Sequence, residues 1–271
     1  MMNRKLDDLL PSPDPVSHRV RLISANWKMN LNHLEAIALV QKLYHLLRPE
    51  DFRYAEIAIH PPFTSLRSLQ LTFEADRMPF TLGAQNVSDQ LSGAFTGEVS
   101  AQMLSKLAVG YVIVGHSERR HLFGETSEQV AQKALTVQQA GMRPIVCLGE
   151  SHEQRESGLT LDVLTAQIDP ILNTYPLEAL DTIVIAYEPV WAIGSGESAD
   201  PEVVEGVGRS LRELLRRRVG DEIAARIRLQ YGGSVSVGNA REFMSLEDID
   251  GLLVGGASLD AEVFAQLIRA A

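Results

Sequence analysis

Only one cysteine, Cys147, stands in 271 residues. A lone thiol excludes an internal disulfide framework and fits a reducing compartment. Basic residues are the scarcer sign: 25 Lys and Arg against 35 Asp and Glu leave a formal charge of −10. That balance argues against nucleic acid or an anionic membrane as a main partner. It also means that an anionic substrate needs a locally positive pocket inside an acidic protein. No apolar run approaches the length of a membrane span. Residues 1–19 lack the apolar segment of a secretory signal, and Asp7, Asp8 and Asp14 argue against a transit peptide. With Pro11, Pro13 and Pro15 alternating, this stretch reads as a flexible N-terminal extension. The cytoplasm is then the expected compartment. No Gly-rich dinucleotide fingerprint follows the first apolar run, which leaves an open doubly wound sheet as the runner-up fold.

What the chain does have is a repeated alternation. Short apolar runs rich in β-branched residues recur at Val20–Ser24, Ala55–His60, Phe80–Gly83, Tyr111–Val114, Pro144–Leu148, Thr182–Ala186, Ile227–Gln230 and Gly251–Val254. Helical spacing of apolar residues fills the gaps, as in Val130, Ala134 and Val137, or Val203, Val207, Leu211 and Leu214. Thr126 with Gln129 forms a capping-box pattern, Asp200-Pro201 opens a helix and Gly141 closes one. Continuous apolar strands separated by helices mean a parallel sheet covered on its outer face. Eight such units over residues 20–271 predict one catalytic domain, a closed (β/α)8 TIM barrel with eight parallel strands.

In a barrel the chemistry sits where strands end. Strand one is followed by Asn26 and Lys28, strand four by Gly115-His116-Ser117-Glu118, strand five by Glu150 and strand six by Glu188. Strand seven leads to Gly232-Gly233-Ser234 and strand eight to Gly255-Gly256. Glu188, at the mouth of a buried strand and before a loop with Gly194 and Gly196, reads as a general base. The bland alternative is a solvated strand-end carboxylate. Two diglycine turns at adjacent strand ends expose backbone N–H groups and suit a phosphate, which answers the charge constraint. Lys28 reads as a fixed charge facing a developing oxyanion, in preference to a Schiff-base amine. His116 begins a His-x-Glu-x-x-His run with Glu118 and His121. Its spacing is not that of a standard zinc helix, so a carbonyl polariser or proton shuttle is preferred, with metal binding the alternative. Cys147 reads as buried packing. The set suits proton abstraction next to a carbonyl on a small phosphorylated substrate, with neither metal nor redox cofactor required.

The motifs Asn26-Trp27-Lys28, Gly83-Ala84-Gln85-Asn86, Gly93-Ala94-Phe95-Thr96-Gly97-Glu98 and Gly115-His116-Ser117-Glu118-Arg119-Arg120 resemble those of the triosephosphate isomerase family. So do Ala186-Tyr187-Glu188-Pro189-Val190-Trp191, Tyr231-Gly232-Gly233-Ser234 and Gly255-Gly256-Ala257-Ser258, in the same order. The resemblance covers roughly residues 20–271. It implies interconversion of dihydroxyacetone phosphate and D-glyceraldehyde 3-phosphate through an enediolate, in glycolysis and gluconeogenesis, without a cofactor. Carried over, Glu188 is the base, and His116 is a neutral electrophile whose pKa a helix N-terminus lowers. Asn26 and Lys28 hold the substrate, and Gly194, Ser234, Gly255 and Gly256 bind phosphate. Residues 189–199 form a lid. Thr96 lies on a loop that reaches a partner's site in a homodimer. Ser195 and Glu197 replace the family's usual Thr and Lys, the Ser234–Asn239 turn lacks its usual proline, and residues 1–19 have no counterpart. A paralogue acting on a four-carbon ketose phosphate and a catalytically silent scaffold are the competing readings. The intact Lys28, His116 and Glu188 set speaks against the second.

Overall fold

The structure, a computed structural model, describes residues 10–15, 17–193 and 198–271. Eight strands form one closed parallel barrel in chain order: β1 (Leu22–Asn26), β2 (Glu56–His60), β3 (Thr81–Ala84), β4 (Tyr111–Val114), β5 (Arg143–Leu148), β6 (Val184–Tyr187), β7 (Arg228–Tyr231) and β8 (Gly251–Val254). The ring closes where β1 pairs with β8 in parallel, Leu22 opposite Gly251. Each strand lies within two residues of the run expected for it. The largest start offsets, two residues each, are at β1 and β6; β1 starts at Leu22 because Val20 and Arg21 belong to the approach from the barrel floor.

Alternation along the strands builds two apolar layers. Leu22, Ala58, Ile113, Ile145, Cys147, Ala186 and Leu253 fill the barrel interior. Ile23, Ile57, Ile59, Val112, Val114 and Leu229 face outward and pack under the helices. The helices begin where the sequence offers caps. Thr126 and Gln129 cap the helix Ser127–Gln139 reciprocally, and Asn32 and Glu35 do the same for His33–Leu46. Asp200 accepts from the Glu202 N–H with Pro201 in the first turn, and Gly141 follows its helix at φ +78°.

The floor of the barrel, at the strand N-termini, is polar. Tyr111 donates to Glu56 at 2.6 Å, and Arg228 donates to Tyr111 at 2.6 Å while pairing with Glu56 at 3.3 Å. Part of the segment read as a flexible extension is tied down here. The Ser12 N–H donates to the Arg53 carbonyl, Arg21 pairs with Asp14, and Arg19 meets Asp250 at 2.6 Å. Arg19 also donates to the carbonyls of Ala225 and Glu247. A guanidinium with three acceptors costs too much to release, so the chain is pinned from its side chain inward. Residues 1–9 of that segment lie outside the described residues.

Candidate active site

At the strand C-termini, a cavity of about 580 Å³ is lined by Asn26, Lys28, His116, Glu118, Glu188, Gly232, Gly233, Ser234, Gly255 and Gly256, with Ile193, Val235, Leu253 and Ala257. The ends of five strands therefore converge here, as expected for the residues named from β1, β4, β6, β7 and β8. Gly194, Ser195 and Glu197 lie outside the described residues, and with them the centre of the expected lid. Thr96 does not line the cavity; it lies exposed, beside a half-exposed Phe95, on the loop after β3.

Lys28 sits in the left-handed region at φ +52°, a strained conformation for a residue with a side chain. The surroundings hold it there. Its N–H donates to Asn26 Oδ1 at 3.1 Å, and Gln85 Nε2 donates to its carbonyl at 2.8 Å and to that of His60 at 2.8 Å. The ammonium meets Glu118 Oε1 at 2.5 Å, so a carboxylate from the helix after β4 sits beside Lys28.

His116 caps the helix Ser117–Phe123, and its Nδ1 accepts the Glu118 N–H at 3.2 Å. Its Nε2 lies 3.0 Å from Glu188 Oε1, and the other oxygen of Glu188 accepts the Ser117 N–H at 2.8 Å. The carboxylate is 1% exposed. Two glycines make room for it. A Cβ on Gly149 would collide with the Glu188 carbonyl, and a Cβ on Gly232 would press on the Glu188 side chain at 3.0 Å. The diglycine after β7 thus clears space for Glu188 as well as exposing backbone.

Burial pushes Glu188 up, but the charge and hydrogen bond of His116, the Ser117 N–H and Lys28 outweigh it and leave the carboxyl lowered. Burial pushes His116 down, but the Glu188 carboxylate, with Glu118 behind it, leaves the imidazole raised. The direction is opposite to the lowering expected from the helix N-terminus, because the sequence did not show the two groups in contact. Removing Glu188 from His116 would remove the main cause of the rise. Burial and the N–H donated to Nδ1, which only an unprotonated nitrogen accepts, would then favour the neutral ring.

Glu150 carries more of the site than its sequence position revealed. It is fully buried, and its Oε1 accepts from Tyr187 and from the Trp191 indole, each at 3.0 Å. Its own carbonyl accepts the Val190 N–H at 3.2 Å. These bonds flank Glu188 on both sides. They join β5 to β6, so no local pattern within either segment announces them. His121 turns away from the cavity and donates to the Ser117 carbonyl, and Cys147 is buried with its thiol pushed well up by desolvation. Among the described residues no group of three or more His, Cys, Asp or Glu could hold a metal ion.

Chemically, a lowered carboxylate, a ring N–H beside it, an ammonium and two diglycine turns around one cavity can move a proton and stabilise an adjacent oxyanion. The sequence profile of the triosephosphate isomerase family matches residues 21–271. A triosephosphate isomerase of Leifsonia xyli subsp. xyli is 49% identical over 253 residues, which are 93% of this chain and 97% of that protein. One of Streptomyces avermitilis is 47% identical over 254 residues, 94% of this chain and 98% of its own. One of Bifidobacterium longum is 45% identical over 257 residues, 94% and 96% respectively. With a match that runs the length of the barrel, this chain belongs to the triosephosphate isomerase family.

Proposed function

We propose that Glu188, His116 and Lys28 carry the family's reaction, the interconversion of dihydroxyacetone phosphate and D-glyceraldehyde 3-phosphate. The observation that supports this most is the contact of Glu188 with His116 on a cavity that also holds Lys28 and both diglycine turns. The phosphate rests on backbone N–H groups of Ser234, Gly255 and Gly256; Gly194, expected with them, lies outside the described residues. Asn26 and Lys28 orient the carbonyl end. Glu188 leaves His116 and the Ser117 N–H to take a proton from C1 of the ketose. The electron pair of that C–H bond forms the C1–C2 double bond, and the C2 carbonyl oxygen becomes the enediolate oxygen. The His116 Nε2–H and Lys28 stabilise it. The proton returns to C2 from Glu188, and the hydroxyl proton passes from O1 to O2 through His116. No electron is gained or lost, so the step as written needs no redox partner.

A coupled assay of the purified protein with D-glyceraldehyde 3-phosphate, beside Glu188→Gln, tests the assignment. Turnover in the parent and a loss of at least about a thousandfold in the folded variant is the expected result. A variant within tenfold of the parent would take the base role from Glu188.

The same reading makes the protein a cytoplasmic homodimer. One cysteine and no helix, among the described residues, long and apolar enough to cross a membrane support the compartment. Exposed Met29 and Phe95, on loops after β1 and β3, and Leu122 and Phe123, at the end of the helix after β4, support association. Residues 1–19 are an extension to the catalytic domain of residues 20–271.

A further inference from the structure

The base is followed by Pro189, which has no N–H, and then by a tight turn over Val190–Ala192. That turn fixes where the backbone of Glu188 lies. It is held to Glu150 by the Val190 N–H and by the Trp191 indole, while Tyr187, the residue before the base, holds the same carboxylate oxygen. The other oxygen of Glu150 meets no hydrogen-bond donor among the described residues. A buried carboxylate bracketing the base in this way needs a cation.

Arg155 supplies it. The side chain comes from the short helix His152–Glu156 after β5. Its Nη1 lies 3.8 Å from Glu150 Oε1, and its guanidinium carbon lies 4.5 Å from the centre of the Trp191 ring. One planar cation therefore pairs with the bracket's charge and covers the outer face of its aromatic ring. The Arg155 side chain is 31% exposed, so it lies between the bracket and solvent.

We propose that Arg155 is a positioning residue for Glu188: it clamps Trp191 onto Glu150 and thereby fixes the turn that carries the base. The inference rests on Glu188 being that base. Arg155 touches neither Glu188 nor the cavity lining, so its effect falls on the geometry of proton transfer and not on substrate affinity.

The test uses the full chain labelled with 5-fluorotryptophan. Trp27, buried beside Lys28, gives an internal reference, and the Trp191 resonance is assigned through Trp191→Phe. Arg155→Met keeps the length of the stem and removes both charge and plane. We expect kcat about tenfold lower with KM within about twofold, because small misplacement of a reacting group is felt in the chemical step. The Trp191 fluorine resonance should move while that of Trp27 stays. Arg155→Lys, which keeps the charge and a weaker ring contact, should recover part of kcat. An Arg155→Met protein with unchanged kcat and an unmoved Trp191 resonance overturns the proposal. So does one in which both tryptophan resonances shift together with a loss of melting temperature, since that is a general loosening. If the parent shows no isomerase activity, the base assignment fails, while the Trp191 resonance still decides whether Arg155 holds the turn.

Discussion

His60 ends β2 inside the barrel, wholly buried, and burial pushes its imidazole down to about 3. Its ring occupies space that Gly83 on β3 leaves open; a Cβ there would overlap the imidazole. The folded protein keeps this group neutral, whereas the unfolded chain protonates it near 6.5. The folded pKa is below the unfolded one, so the stability is complete above about pH 6.5 and is lost as pH falls toward the folded value. By pH 5 the contribution lost is about 2 kcal/mol. Thermal melts of the parent and His60→Leu between pH 7.5 and 4.5 check this. The parent's melting temperature should fall more steeply with acid than the variant's, and parallel curves would remove His60 from the account. In the sequence this histidine only closes the apolar run Ala55–His60. Its isolation became visible once β1 and β3 closed around it. The proposed catalytic residues were legible for the opposite reason: Lys28, His116 and Glu188 each stand within two residues of the end of an apolar strand. The Glu188–His116 contact was not legible, because it joins residues 72 positions apart in number, and with it went the sign of the His116 shift.

At the scale of elements, capping signals were readable because they are local. Thr126 with Gln129 and Asp200 with Pro201 do in space what they suggest in sequence. The approach to β1 was less readable. Its prolines and aspartates imply a loose tail, yet Arg19 anchors it to Asp250 at the foot of β8, an acid shared with Arg212 at 3.3 Å. Such anchoring depends on a partner more than two hundred residues away. Arg19→Ala leaves Asp250 with one fewer cation in a place only 4% exposed. A destabilisation of about 2–4 kcal/mol is expected, with kcat and KM within about twofold of the parent. Urea denaturation beside the isomerase assay checks both. A variant as stable as the parent would mean that the segment is not pinned by Arg19, and a large loss of kcat would mean that the floor reaches the chemistry.

For the whole molecule, the closed barrel followed from eight regular runs, since only their count and spacing were needed. The polar floor of Glu56, Tyr111 and Arg228 did not, because each strand start looks like an ordinary surface position until the ring is complete. Exposed large apolar side chains gather on the first half of the barrel's upper rim: Met29 after β1, Phe63 after β2, Phe95 after β3 and Phe123 after β4. That asymmetry is expected of an interface between copies. If the proposed dimer forms here, Phe95→Glu should convert it to a monomer in sedimentation velocity and lower kcat, because the proposed reach of Thr96 into a partner's site would be lost. A monomeric parent, or a dimeric variant of full activity, would place the interface elsewhere. The floor has a different consequence. The Ser12 N–H bonds to Arg53, and the carbonyl of Ala271 accepts from Tyr54 at 2.5 Å, so the two described ends of the chain rest against adjacent residues. Both leave the molecule on the side opposite the cavity. A short peptide joining them would give a circular chain, and a tether at either would mount the enzyme on a surface with its mouth facing the solution.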